Sequence, residues 1–160
     1  MSFIKIDDVV DGKSGEAWMT QNGVVKELVG LQKVEFHDTI NERKLKTVGT
    51  VRTQTAPSGV DGAGTMTVQY GHIKTFASMV MEYRRSGKMP IFDLLIINND
   101  PGTSMGRRSV SFEDCRLTGD VPMAALDADS DDGLTCELNF SYSNADIQEE
   151  FADISAIGRE

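Results

Sequence analysis

Gly62-Ala-Gly-Thr-Met-Thr-Val-Gln-Tyr70, then His72 to Ser86, then Gly87-Lys-Met-Pro-Ile-Phe92, is the stretch that decides the fold. Thr65, Thr67 and Gln69 alternate with Met66, Val68 and Tyr70, the period of a half-buried strand. Ile73, Phe76, Ala77, Val80 and Tyr83 then recur at helical spacing, with Lys74, Ser78, Glu82 and Arg85 on the opposite side. Gly87 reads as a helix stop and Pro90 follows three residues later. A new apolar run, Ile91 to Ile97, starts at once. One amphipathic helix, over about 73–86, therefore sits between two strands. Its stripe of Ile73, Phe76, Val80 and Tyr83 is expected to pack on a sheet.

Outward from this stretch the chain reads as β. Glu16–Gln21 and Val24–Leu31 are strands joined at Asn22-Gly23, a dipeptide suited to a tight turn with two positive φ angles; Gly30 marks a bulge. Val34, Phe36 and Ile40 keep a period of two, broken at Asp38. Residues 41–61 read as a long hairpin or loop, rich in Thr and Val but poor in apolar content, and a segment of this length is usually functional or ordered by a partner. Val34, Phe36, Ile40, Leu45, Val48 and Val51, within it and just before it, are candidate self-association residues. Downstream, Ile91–Asn98, Arg108–Leu117 and Leu134–Tyr142 are strands, the last alternating cleanly between apolar and polar. Turns are expected at 99–102 and 118–120, and an acidic connection at 126–133. The acidic tail from Asn144 reads as a short helix or a loose end. The expected architecture is mainly β, one sandwich or barrel-like domain over 1–160 with an N-terminal arm (1–15) and the helix on its side.

The chain has 160 residues, enough for one domain that buries roughly 70% of its unfolded surface. It has neither a span of the ~20 apolar residues needed to cross a membrane nor a secretory leader, so it reads as a soluble protein folded in the cytoplasm. Net charge is −9, and the excess lies late: residues 119–160 hold eleven acidic side chains and one basic, Arg159. That argues against nucleic-acid recognition through phosphate contacts, which needs clustered Lys and Arg. Cys115 and Cys136 each lie in a strand-like run and read as buried free thiols.

Several motif-like features carry no chemistry. Asp127-x-Asp129-x-Asp131 resembles the opening of a calcium loop, but its sixth position is Asp132 where Gly is needed and its twelfth is Leu138 where Glu is needed. Gly62-x-Gly64 lacks the third glycine of a phosphate cradle and precedes a strand; a turn is the simpler use. His37 and His72 have no nucleophile elbow nearby in sequence, and with two scattered cysteines they make no zinc spacing. Arg84-Arg85 and Arg107-Arg108 are too short for a nucleic-acid patch. Met79 and Met81, flanking the apolar stripe, read as packing residues. No catalytic residue, cofactor or metal ligand is expected.

The same central stretch carries a family resemblance. Gly62-Ala-Gly-Thr-Met-Thr, a helix ending Met81-Glu-Tyr83, and Gly87-Lys-Met-Pro-Ile-Phe92 resemble the tail tube proteins of contractile phage tails, above all those of Gram-positive phages, phage-like elements and tail-derived bacteriocins. The resemblance continues through Gly12-Lys-Ser-Gly-Glu16, Gly106-Arg-Arg-Ser-Val-Ser-Phe112 and Leu126-Asp-Ala-Asp129, and is weakest over 41–61. It implies a β-sandwich or barrel with one lateral helix, and no enzymatic activity. Six copies would join their sheets into a ring, and rings would stack into a hollow tube in the virion tail. The tube would surround a tape-measure protein, be covered by a sheath, meet a baseplate and a tail terminator, and conduct DNA or puncture an envelope. Ring closure would also satisfy exposed sheet edges, and an acidic lumen would let DNA slide without sticking. A soluble acidic β-domain acting as an adaptor module, or a tube-initiating baseplate protein, remains an alternative, while a hydrolase lacks any cluster of titratable groups.

Overall fold

In the computed structural model the described residues are 15–28, 30–99, 101, 106–128 and 133–151. The N-terminal arm (except Gly15), residues 129–132 of the acidic connection and the tail beyond Phe151 lie outside them.

The elements are β1 (Gly15–Gln21), β2 (Val24–Glu27), β3 (Leu31–Leu45), β4 (Gln54–Gln69), a 3-10 turn (Tyr70–His72), α1 (Lys74–Ser86), β5 (Phe92–Asn99), β6 (Arg107–Thr118), β7 (Thr135–Tyr142) and β8 (Asn144–Glu149). Every strand pairing is antiparallel, in the order β2-β1-β5-β6-β7-β4-β3, with β8 on β6. The mainly β architecture with one helix is as the sequence predicts. Asn22 (φ 52°) and Gly23 (φ 80°) form the expected tight turn between β1 and β2.

Strand β6 joins the two halves of the sheet. Its first part pairs with β5 and β8, whereas Arg116–Thr118 pair with β7. The break falls at Asp114, which adopts φ 55°, and Ser143 N–H bonds Glu113 O at 3.1 Å on the facing strand. A residue with positive φ inside a strand produces the bulge that turns the ladder, and the sheet curls around a single core. Met19, Phe92, Leu94 and Phe112 come from one half; Met66, Val68, Leu138, Phe140 and Tyr142 from the other. Phe36 and Phe112 stack with ring centroids 3.6 Å apart, so the edge strand β3 meets β6 across the interior.

Helix α1 packs on this core through Ile73, Phe76, Met79 and, in part, Val80. Tyr83, which the sequence places on the stripe, is 48% exposed instead. All residues from Met81 to Lys88 are exposed, so the sheet supports only the first two turns. Met79, which the sequence places beside the stripe, is buried and packs on the core. Gly87 (φ 74°) ends the helix as expected, its N–H bonding Tyr83 O at 2.8 Å.

Three expectations change. Gly30 is a corner between β2 and β3 (φ 82°), with its carbonyl accepting from Gln69 N–H; it is no bulge within one strand. Gly62 and Gly64 lie within β4, without positive φ, so they make no turn. Asn144–Glu149, the described start of the acidic tail, is neither helical nor loose. It is a strand, because β6 offers it a free edge and Arg107–Glu149 (3.3 Å) and Arg108–Glu150 (2.9 Å) ion pairs lie alongside.

Candidate functional site

The feature without an internal explanation is the far half of the β3–β4 hairpin. Gly62–Gln69 of β4 pair with β7, but Gln54–Asp61 pair only with β3, as far as Leu45 opposite Gln54. The segment 41–61 is therefore an ordered two-stranded arm that leaves the sheet body. All its residues are exposed except the half-buried Ala56. A two-stranded ribbon has no core of its own, and isolated hairpins are marginal in water.

Three of the six sequence-predicted association residues lie exposed on this arm, and a fourth, Ile40, is exposed at its root. Ile40 is 64% and Leu45 55% exposed, while Val48 and Val51 near the tip are fully exposed. The other two, Val34 and Phe36, lie below its root, half-buried against the subunit's own core. Val60 (61% exposed), which sequence reading does not single out, faces Ile40 across the arm. Alternation puts Val60 on the same side of β4 as buried Met66 and Val68, so the inner face of the sheet continues outward as an uncovered apolar pair. The arm also concentrates positive charge: Arg43, Lys44, Lys46 and Arg52 fall within 43–52, a span without one acidic residue.

Two cross-strand rows hold the arm's root. Phe36, Gly64 and Phe140 are in register on β3, β4 and β7, followed by Asp38, Gly62 and Tyr142. The glycines give the rings room. A Cβ on Gly62 would lie 2.5 Å from the Tyr142 ring, and one on Gly64 2.5 Å from the Phe140 ring and 2.8 Å from Glu35 O. Phe36 and Phe140 meet over Gly64 with centroids 5.0 Å apart, and Tyr142 Oη donates to Asp38 Oδ1 over Gly62. Burial, with the bond to Asp38 second, raises the Tyr142 phenol pKa well above its ordinary value. The sequence signal was available: a Gly-x-Gly inside an alternating strand, with Phe and Tyr two apart in another.

At the opposite end of β3 lies a cleft of about 580 Å³. Leu31–Glu35 form one wall; Gly15–Ala17 of β1, Glu27 and Leu28 and Ile96–Asn98 of β5 form the other. Strand β3 is terminal in the sheet order, so the cleft is a seam where the curled sheet does not close on itself. Apolar Ala17, Leu28, Leu31, Val34, Ile96 and Ile97 alternate there with Glu16, Glu27 and Glu35 against a single Lys33, which pairs with Glu35 at 3.3 Å.

Among the described residues no three His, Cys, Asp or Glu side chains group as metal ligands. Cys115 and Cys136 are free and buried. Burial, aided by Asp93, pushes the Cys115 thiol up to about 12, the opposite of what a nucleophile needs. His37 and His72 are exposed and lie on different elements. No described helix is long and apolar enough to cross a membrane.

Residues 2–149 match the family model described as "Phage tail tube protein". The chain is 25% identical over 150 residues to XkdM, a protein of the phage-like element PBSX of Bacillus subtilis (strain 168), covering 94% of this chain and 97% of that one. Among solved structures, a chain of the anti-feeding prophage baseplate superposes with TM-score 0.65 at 13% identity, over 92% of this chain and 97% of that one. A chain from the sheath–tube complex of the PVC extracellular contractile injection system gives TM-score 0.63 at 11% identity, over 89% and 93%.

Proposed function

The chain belongs to the phage tail tube protein family, and on that premise we propose that it is the repeating subunit of the inner tube of a contractile tail or related injection particle. In this reading six copies close a ring, rings stack into a hollow tube, and the arm 41–61 reaches a neighbouring subunit or ring. The protein acts by assembling, without a catalytic step. Its site of action is the tail, after synthesis in the bacterial host cytoplasm. Its partners there are copies of itself, the tape-measure protein, the sheath, the baseplate and the terminator.

The arm carries the reading. An ordered ribbon with exposed Ile40, Leu45, Val48, Val51 and Val60 is explained by a surface that covers it elsewhere. The edges of β2 and β3, unpaired among the described strands, fit the same role, since edges left open in the subunit become pairing surfaces in a ring. In this arrangement α1 packs on the outer side, and the acidic excess lets DNA pass without adhesion.

Negative-stain electron microscopy of concentrated protein tests the proposal. Hollow rings or tubes are expected from the full chain, and none from a variant lacking residues 44–60. A chain that stays monomeric at all concentrations would point to a binding module instead. Unaltered assembly by the deletion variant would remove the arm from the account. Unchanged DNA passage through tubes with acids of 119–150 neutralised would count against the electrostatic role of the lumen.

A further inference from the structure

We propose that the basic arm tip of one copy docks into the acidic seam of a second copy, the cleft between β3 and the β1–β5 wall. The inference rests on the tube-subunit reading and names the surface that receives the arm.

Charge supports it first. The tip span 43–52 carries Arg43, Lys44, Lys46 and Arg52 and no acid, in a chain of net charge −9. The seam presents Glu16, Glu27 and Glu35 against Lys33 alone. Glu16 Oε2 accepts from Trp18 Nε1 at 2.9 Å, which holds its carboxylate in place. Opposite charges on separate patches favour encounter and register between copies.

Apolar complementarity comes second. Leu45, Val48 and Val51 stand in solvent between those cations, whereas a contact with nucleic acid alone would need only the charges. The seam offers Ala17, Leu28, Leu31, Val34, Ile96 and Ile97 as a floor. It also has a backbone edge. Strand β3 has no second neighbour among the described strands, so its outward N–H and C=O groups over Leu31–Glu35 are free to take an added strand.

Geometry requires a second copy. Tip and seam lie at opposite ends of one continuous strand, separated from Val34 to Leu45 by roughly 35 Å at ~3.4 Å per residue. The arm runs away from its own seam. A contact between unlike patches is heterologous, so each copy gives one arm and receives another, and the contact propagates.

The test uses the full chain in three forms. The arm variant carries Arg43→Glu, Lys44→Glu, Lys46→Glu and Arg52→Glu; the seam variant carries Glu16→Lys, Glu27→Lys and Glu35→Lys. Each alone is expected to lose at least tenfold of the assembled mass in sedimentation, and an equimolar mixture to regain it. A double variant, Val48→Cys with Gln32→Cys in the cleft lining, keeps the native charges and covers the case of a misfolded charge variant. With an added oxidant it is expected to give a ladder of disulfide-linked multimers on a denaturing gel. Wild-type tubes with no ladder, or normal assembly by both charge variants, would overturn the docking and leave the tube reading standing. Normal assembly with lost DNA retention by the arm variant would transfer the tip to nucleic acid. A wild-type chain that never assembles would overturn both.

Discussion

Tyr142 Oη donates to Asp38 Oδ1 at 2.6 Å across Gly62, linking two strands that do not adjoin in the sheet. This bond spans the last row before the hairpin leaves the body. The ring is buried and the carboxylate is exposed, so solvent around the charge brings the bond down to about 1 kcal/mol, the value of an ordinary hydrogen bond. Tyr142→Phe keeps the ring and removes the donor. It should lower unfolding free energy by about that amount and quicken amide exchange over Thr39–Leu45. Unchanged exchange would show that the aromatic rows alone hold the arm.

Gly64→Ala should cost more than Gly62→Ala. Both added methyls meet an aromatic ring, but the one on Gly64 also faces Glu35 O at 2.8 Å, an atom of the paired backbone that cannot rotate away. About 1–3 kcal/mol is expected for Gly64→Ala, in the range of overpacked cores, and less for Gly62→Ala. Urea denaturation of the two variants gives the order; equal losses would refute the backbone argument.

Alkaline pH should destabilise the fold. Cys115 has an ordinary pKa of 9.0 and reaches about 12 when folded, chiefly through burial. Below pH 9 both states keep the proton and the full contribution is present. Between pH 9 and 12 the unfolded thiol ionises while the folded one does not. Stability then falls with a limiting slope of about 1.4 kcal/mol per pH unit. Tyr142 shifts in the same direction. Cys115→Ala should flatten the dependence measured by denaturation at pH 9–11, at some cost from the vacated space. An unchanged slope would assign the effect elsewhere.

Val48→Ser with Val51→Ser should separate folding from assembly. Both side chains are fully exposed in the subunit, so unfolding free energy should move by no more than about 0.5 kcal/mol. Tube formation should fall at least tenfold. Intact assembly would mean that these valines stay wet in the tube.

Much of the fold was legible because it obeys local rules. Asn22-Gly23, the stop at Gly87 and the alternation from Leu134 to Tyr142 each depend on nearby residues. Illegible were the features set by partners distant in sequence. Gly64 is small because of Phe140, 76 positions away, so its local reading as a turn was wrong. Asn144–Glu149 is extended because β6 supplies an edge, which its own acidic composition does not announce. Tyr83 has the helical spacing of a packing residue, but spacing does not say where the supporting sheet ends. For the candidate site, sequence located the arm by its length and missed the receiving seam, which exists only once β1, β3 and β5 come together.

The unbroken passage of β4 from arm to core has a mechanical consequence. A neighbour tugging on the tip pulls along the strand axis, and the load reaches the β4–β7 ladder as shear over the eight register positions from Gly62 to Gln69. Bonds loaded in parallel must yield together, whereas an edge peeled from one end yields bond by bond. The subunit is thus built to resist a pull directed along β4.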